Sequence, residues 1–285
     1  MPDAWLVTNA FLKAPSFAHL EAELLAAARR AGIAMQPRGN DAFVREDALA
    51  DAPRAALFFD KDVRLAQRLE ARGVRVFNPS RAIEVCDDKT ATWLALESAG
   101  LPQPETVICP ATFPGLGYGD AGFLHDVAAR LGFPMVVKEA RGSFGEQVYL
   151  VHEMEGLRTR LAASGDRQLL FQRFIAESAG VDLRLYVVGN AVAAAIRREN
   201  RSGDFRANVA KGGTASAYTP TQEEETLALA ACRACGADFA GVDLLLSHDG
   251  PLVCEVNSNA HFRGLAAATG VNPADGIMRL MKAAL

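Results

Sequence analysis

Three oxygen donors lie close together near the end of the chain: Asp243, Glu255 and Asn257. They sit in GVDLLLSHDGPLVCEVNSNAHFRG, residues 241–264, where apolar runs at 242–247 and 252–256 are joined through His-Asp-Gly. Asp-Gly between two such runs is a strong hairpin signal. Alternation along a strand puts Glu255 and Asn257 on one face, and the pairing register can bring Asp243 across from them. Carboxylates in an apolar hairpin require a counter-charge. Oxygen-only donors on a rigid hairpin suit Mg²⁺, which keeps several waters and takes further ligands from substrate phosphates. The competing reading is a pair of acids on the solvent face of an amphipathic hairpin. Three donors in one hairpin, followed by the polar, non-repetitive Ser-Asn-Ala-His-Phe-Arg-Gly loop, favour the metal.

Cations for phosphates are spread over the preceding residues. Lys138 ends the apolar stretch Met135–Lys138 beside a Gly/Ser loop, residues 141–147. Glycines let backbone N–H groups approach an anion, and the ammonium adds a point charge. This is not a P-loop, which requires G-x-x-x-x-G-K-[ST] at the start of a helix; taken alone it is also what a hairpin tip with a surface lysine looks like. The strand LLFQRFI, 169–175, ends where Arg173 and Phe174 can meet a flat aromatic ligand. VDLRLYVVGNAVAAAIRRE reads as a hairpin turning at Gly189-Asn190, with Asp182 and Arg184 on one face. Arg197 and Arg198 end its second strand, so one of them points toward the site. SGDFRANVAKGGTAS is polar and carries Arg206, Asn208 and Lys211. Lys89, Lys138, Arg197 and Arg206, set beside the oxygen donors, form a toolkit for a nucleoside triphosphate with Mg²⁺ outside the P-loop and protein-kinase patterns. There is no G-x-S-x-G and no Ser/His/Asp or Cys/His set, so covalent catalysis by a protein nucleophile has no support, and no residue stands out as a general base.

The elements that must position these residues follow a mixed α/β order. Short apolar strands at 5–8, 33–35, 56–59 and 74–77 alternate with helical stretches. The first helix is expected to be capped by Ser16 and to stop at Gly32. This βαβ rhythm implies a small parallel sheet, without the Gly-x-Gly-x-x-Gly of a dinucleotide domain. Asp87-Asp88-Lys89 opens a helix to about residue 99, and a Pro-rich connector follows. A helix at about 120–131, a helix from 222 to 235 and a last helix from 274 to 284 are expected. The 285 residues exceed one ordinary core, and the divisions fall at 1–86, 87–171 and 172–285. A net charge of −4 and the absence of a basic stripe argue against nucleic acid. No apolar run is long enough to span a membrane, and the N-terminus lacks a secretory pattern. The five cysteines have no disulfide spacing. Cys232 and Cys235 read as helix cysteines in a reducing compartment, and the expected location is cytoplasmic.

In this order and spacing the chain resembles the ATP-grasp superfamily, and within it the RimK-type α-L-glutamate ligases. The likeness covers nearly the whole chain, most strongly 88–272. It rests on Asp-Lys at 88–89, Pro-Met-Val-Val-Lys at 134–138, Gln-Arg-Phe-Ile at 172–175 and Asp-Leu-Arg at 182–184. It continues through Ala-Ala-Ile-Arg-Arg at 194–198, Phe-Arg-Ala-Asn at 205–208, Lys-Gly-Gly at 211–213, Gly-Val-Asp-Leu at 241–244 and Glu-Val-Asn-Ser-Asn at 255–259. The resemblance implies an ATP-grasp fold of α+β lobes behind an N-terminal Rossmann-like domain. It implies ATP with Mg²⁺, or Mn²⁺ in its place. Lys89 and Lys138 then contact ATP phosphates, Arg173 and Phe174 line the adenine hinge, and Asp182, Arg206, Ala207 and Asn208 touch the nucleotide. Asp243, Glu255 and Asn257 match the metal ligands, while Arg197 and Arg206 are the guanidinium groups suited to hold an acylphosphate. The implied reaction joins a small-molecule or peptide carboxylate to an amino-acid amine, glutamate above all, in a chain that can form homo-oligomers. A bulkier lid, Glu-Ala-Arg-Gly-Ser-Phe-Gly-Glu, and Ala207 in place of a common serine are departures that bear on the acceptor. A carboxylate kinase releasing acylphosphate and a non-catalytic nucleotide scaffold stay open as alternatives.

Overall fold

Three β-sheets carry the chain in a computed structural model that describes residues 2–143, 145–207 and 213–285, Glu46 by its backbone alone. The first is parallel, with the order β2-β1-β3-β4: β1 Ala4–Thr8, β2 Met35–Gly39, β3 Ala55–Phe59 and β4 Arg75–Phe77. Helix α1 (Pro15–Ala31) starts at Pro15, whose fixed φ suits the first helical position, and no side chain caps it. Ser16 therefore lies inside the helix instead of capping it. Gly32, at φ 72°, ends the helix in the left-handed conformation that favours glycine. Helices α2 (Val63–Glu70) and α3 (Ser80–Asp87) follow.

Asp88 caps the next helix, α4 (Lys89–Ser98), accepting from the N–H groups of Thr90 and Ala91. The central sheet has the order β5-β8-β6-β7, from β5 Thr106–Ile108, β6 Met135–Glu139, β7 Val148–Val151 and β8 Leu169–Arg173. Helices α5 (Leu124–Leu131) and α6 (Met154–Ser164) cover one face. They enclose a core of their own around Leu124, Val137, Leu157 and Phe171.

The third sheet is antiparallel, β11-β10-β9-β12-β13. Its strands are β9 Val181–Val188, β10 Ala191–Glu199, β11 Thr214–Tyr218, β12 Phe239–Ser247 and β13 Gly250–Asn257. Alternation gives it two different faces. Leu183, Leu185, Val242 and Leu244 pack under α7 (Gln222–Ala234) together with Leu96 of α4. Tyr186 and Phe239, on the opposite face, share one core with Leu6, Leu24 and Leu57 of the first sheet and Met278 of α9 (Pro273–Lys282). Asn78 fastens that seam. Its amide donates to the carbonyls of Phe239 (2.9 Å) and Ser258 (2.8 Å) and accepts from the N–H groups of Asp238 (2.6 Å) and Phe239 (3.1 Å). The five cysteines are free; burial pushes the Cys232 thiol up to about 12, in keeping with a packing role.

Candidate functional site

The same face of the third sheet that packs on the first sheet turns polar toward its other end, and there it opposes the central sheet. The cavity between them is lined by Val136, Lys138, Gln172 and Phe174 from one side and Asp182, Arg198, Asp243 and Glu255 from the other, with Lys89 and residues of the 141–147 lid closing it. Strand parity explains the choice on β6: Met135 and Val137 enter the central core, while Val136 and Lys138 face the cavity. Lys138 is 7% exposed. Its ammonium lies 3.7 Å from Cys254 Sγ and has no carboxylate within ion-pair distance among the described residues.

The β12–β13 register sets Asp243 directly across from Glu255 and Gly241 across from Asn257, so the three oxygen donors share a face. A bulge follows, with the register shifting between Asp243 and Leu244. It leaves Cys254 as an extra residue, and Cys254 and Glu255 both line the cavity. Gly241 has a packing reason: a Cβ there would come within 2.6 Å of the Ala260 side chain, so a larger residue would push away the loop that follows Asn257.

Asp243 is not a bare carboxylate. Arg184 grips it bidentately, Nε to Oδ1 at 2.7 Å and Nη2 to Oδ2 at 2.7 Å, and Arg198 Nη2 reaches Oδ2 at 3.0 Å. Arg198 in turn holds Asp182 bidentately, at 2.6 Å on each oxygen. Two acids and two guanidinium groups thus alternate across β10, β9 and β12. Burial alone would raise the Asp243 carboxyl, but Arg184 and Arg198 outweigh it and hold the group below the usual carboxylate range. Asp182 shares a single close guanidinium, and burial raises it.

A hard cation finds its freest donor in Glu255, which faces Lys89 at 3.6 Å and, among the described residues, no guanidinium. Asn257, one step along the same face, has a buried amide nitrogen with no partner among the described residues. Asp243 Oδ1 accepts one N–H and keeps lone-pair capacity. Glu255 and Asp243 Oδ1 could hold Mg²⁺, whereas the Asn257 atom left without a partner is its amide nitrogen, which donates and cannot ligate a cation, and Asn257 is not among the residues that line the cavity.

Cations also hold the lid. Lys89 Nζ donates to the Gly142 carbonyl at 3.1 Å, Lys61 to Ser143 Oγ at 3.1 Å, and Arg206 to the Gly145 carbonyl at 2.7 Å while bound to Asp204. Phe174 lines the cavity and meets Phe205 edge-on at 6.3 Å. Arg173 lies at the rim, tied to Glu105; Ala207 lines the cavity and is buried. Asn208 and Lys211 lie outside the described residues. Arg197 does not join the others: parity turns it to the opposite face, where it pairs with Glu199 at 2.7 Å. Arg198 takes the place in the cavity, and it and Arg184 are the partners of Asp243 that sequence reasoning did not assign. The only signals for them were the shared face of Asp182 and Arg184 and the consecutive arginines.

The pattern of the RimK-like ATP-grasp domain matches residues 111–281. A probable alpha-L-glutamate ligase of Trichodesmium erythraeum is 35% identical over 224 residues, 76% of this chain and 71% of that protein. D-alanine–D-alanine ligase from Bacillus anthracis, solved with ATP, superposes with a TM-score of 0.77 at 16% identity, over 99% of this chain and 97% of that one. The ATP-grasp ligase PsnB, solved with a minimal-precursor variant, Mg and ADP, gives 0.72 at 19% identity, over 99% and 98%. These two structures share the fold of this chain.

Proposed function

The chain belongs to the RimK-like ATP-grasp family, and from that premise we propose that it is an ADP-forming ligase, joining a carboxylate to an amine at the expense of ATP. The finer reading is amide or peptide bond formation through an acylphosphate, with glutamate or another amino acid supplying the amine. One observation carries it: Lys89, Lys138 and Glu255 converge on a single cavity between two sheets, with an apolar flank at Val136 and Phe174 for a purine.

Bound at Glu255 and Asp243, Mg²⁺ would supply charge neutralisation for the phosphates. The residues of the chain do the rest. Lys138, buried and without a carboxylate partner, offsets phosphate charge in a site of low dielectric, where a fixed cation acts most strongly. Lys89 sits between the lid and Glu255 and can turn from the Gly142 carbonyl to a phosphate oxygen. Arg206 is placed to do the same from the Gly145 carbonyl. The acid's carboxylate oxygen attacks the γ-phosphorus and ADP leaves. The amine nitrogen then attacks the acyl carbon, phosphate departs, and the surplus proton of the amine passes to the departing phosphate. The lid keeps water from the acylphosphate between the two steps.

Hydroxylamine tests the reading. With a competent acid and ATP it should give a hydroxamate, ADP and phosphate. AMP and pyrophosphate would sink the proposal, and a stable acylphosphate with no amine requirement would replace it by a carboxylate kinase.

A further inference from the structure

We propose that Cys254 is a modification site, at which a peroxide links its sulfur to the nitrogen of Lys138 and so closes the cavity to nucleotide. Strict alternation would turn residue 254 away from the face that carries Glu255. The bulge between Asp243 and Leu244 brings both to the cavity. Cys254 Sγ then lies 3.7 Å from Lys138 Nζ, and that ammonium is buried with no carboxylate to hold it among the described residues. The other four cysteines are packed in apolar clusters, Cys86, Cys232 and Cys235 under α7 and Cys109 in the central core. Cys254 alone is half-buried and lines the cavity. The proposed ligation makes no use of its thiol.

The chemistry takes two steps and one molecule of hydrogen peroxide. Cys254 Sγ attacks a peroxide oxygen, the O–O bond breaks, and the thiol proton leaves with the other oxygen as water. The sulfur is oxidised by two electrons to a sulfenic acid, and the peroxide is reduced. A sulfenic acid condenses with a thiol or a nitrogen in reach; no second thiol lines the cavity, and Lys138 does. Lys138 Nζ gives one proton to water and attacks Sγ. An S–N bond forms, the S–O bond breaks, and hydroxide leaves as water with a second nitrogen proton. Burial raises the Cys254 thiol while Lys138 pulls against it, so the first step is slow and calls for excess peroxide. The linked nitrogen carries no charge and is tied to β13, and the cavity loses the cation aimed at a phosphate. Added thiol reverses the link by attacking Sγ and releasing the amine. The bond does not depend on the ligase reading; the loss of nucleotide depends only on the phosphate role given to Lys138.

The experiment needs neither the acid nor the amine. The full chain is treated with excess hydrogen peroxide; one portion is digested without reductant and mapped by mass spectrometry, and another is titrated with AMP-PNP and magnesium. The map should show peptides joined through Lys138 and Cys254, lighter than their sum by two hydrogen atoms. AMP-PNP affinity should fall by about tenfold, the size expected of a charge-assisted hydrogen bond, and dithiothreitol should restore it. AMP-PNP and magnesium added before the peroxide should slow the link, because phosphates then hold Lys138. Cys254→Ala should keep its own AMP-PNP affinity through the same treatment. Lys138→Met should stop at the sulfenic acid, which dimedone traps, and it carries the test if the alanine variant does not fold. A Cys254 peptide that is unmodified, or that gains oxygen without joining Lys138, overturns the proposed bond. Joined peptides with undiminished AMP-PNP affinity overturn the closure, and so does a Cys254→Ala chain that peroxide inactivates as fully as the wild type.

Discussion

Glu255 and Asp243 face each other across two strands and yet differ in what surrounds them. Glu255 has a lysine at 3.6 Å and room for a ligand, so Glu255→Gln should leave the fold unchanged and abolish turnover. In the proposed role of Glu255 as a metal ligand, its loss weakens the hold on the phosphates by several kcal/mol, on the order expected of metal-assisted catalysis. Wild-type activity at millimolar magnesium would take the hairpin out of the site. Asp243 behaves differently because two guanidinium groups hold it ionised. Its folded pKa lies below the unfolded value of about 3.9, so its contribution to stability is present above that value and is lost as pH falls through the folded one. Asp243→Asn should remove that acid-side slope from a stability–pH curve and cost about 3–5 kcal/mol at neutral pH, since it leaves buried guanidinium charge uncompensated. Chemical denaturation between pH 2 and 7 reads both effects. At this scale the sequence was legible where parity within one strand decides: Glu255 with Asn257 on β13, and Asp182 with Arg184 on β9, each pair on one face. It was not legible where the choice lay between neighbours. Arg197 and Arg198 differ only in which side of β10 they leave, and that depends on a register with β9 that no local pattern records.

At the scale of elements, the 141–147 segment borders the cavity through Gly142, Gly145 and Gln147, and the proposed reaction gives it the part of a lid. In the structure its carbonyls at Gly142 and Gly145 are held by Lys89 and Arg206, side chains that a triphosphate would claim. Phosphate oxygens instead accept from backbone N–H groups. Amide exchange across residues 139–147 should therefore slow when AMP-PNP and magnesium bind, and exchange unchanged by the nucleotide would show that the lid takes no part. Elements with strong turn or cap signals were readable from the chain: the Gly189-Asn190 hairpin, the Asp88 start of α4 and the Gly32 stop of α1 all stand where the residues put them. The second strand was not. The apolar triplet at 33–35 suggested it, but Ile33 is buried in the core and the strand runs on through Pro37 to Gly39. Proline is tolerated there because β2 is an edge strand. Helix α3 was missed because its eight residues, SRAIEVCD, include only short apolar stretches. Only packing against α2 and α4 makes it an element.

Across the whole molecule, the three sheets do not amount to three equal units. The first and third share a core through Leu6, Leu57, Tyr186 and Phe239, whereas the central sheet encloses its own. The sequence could indicate three segments, since composition and proline content change between them, but it could not show which two are fused, because that contact joins residues about two hundred positions apart. Asn78 marks the joint, with four hydrogen bonds from one buried amide to backbone near residues 238–258. The consequence is one of cooperativity in unfolding. Heat should separate the molecule into two calorimetric units and not three: the N-terminal and C-terminal sheets melting together as the larger, the central sheet as the smaller. Asn78→Ala leaves buried backbone groups unpaired at about 1–3 kcal/mol each. It should lower the larger transition and leave the smaller in place, a difference that one differential scan per variant resolves.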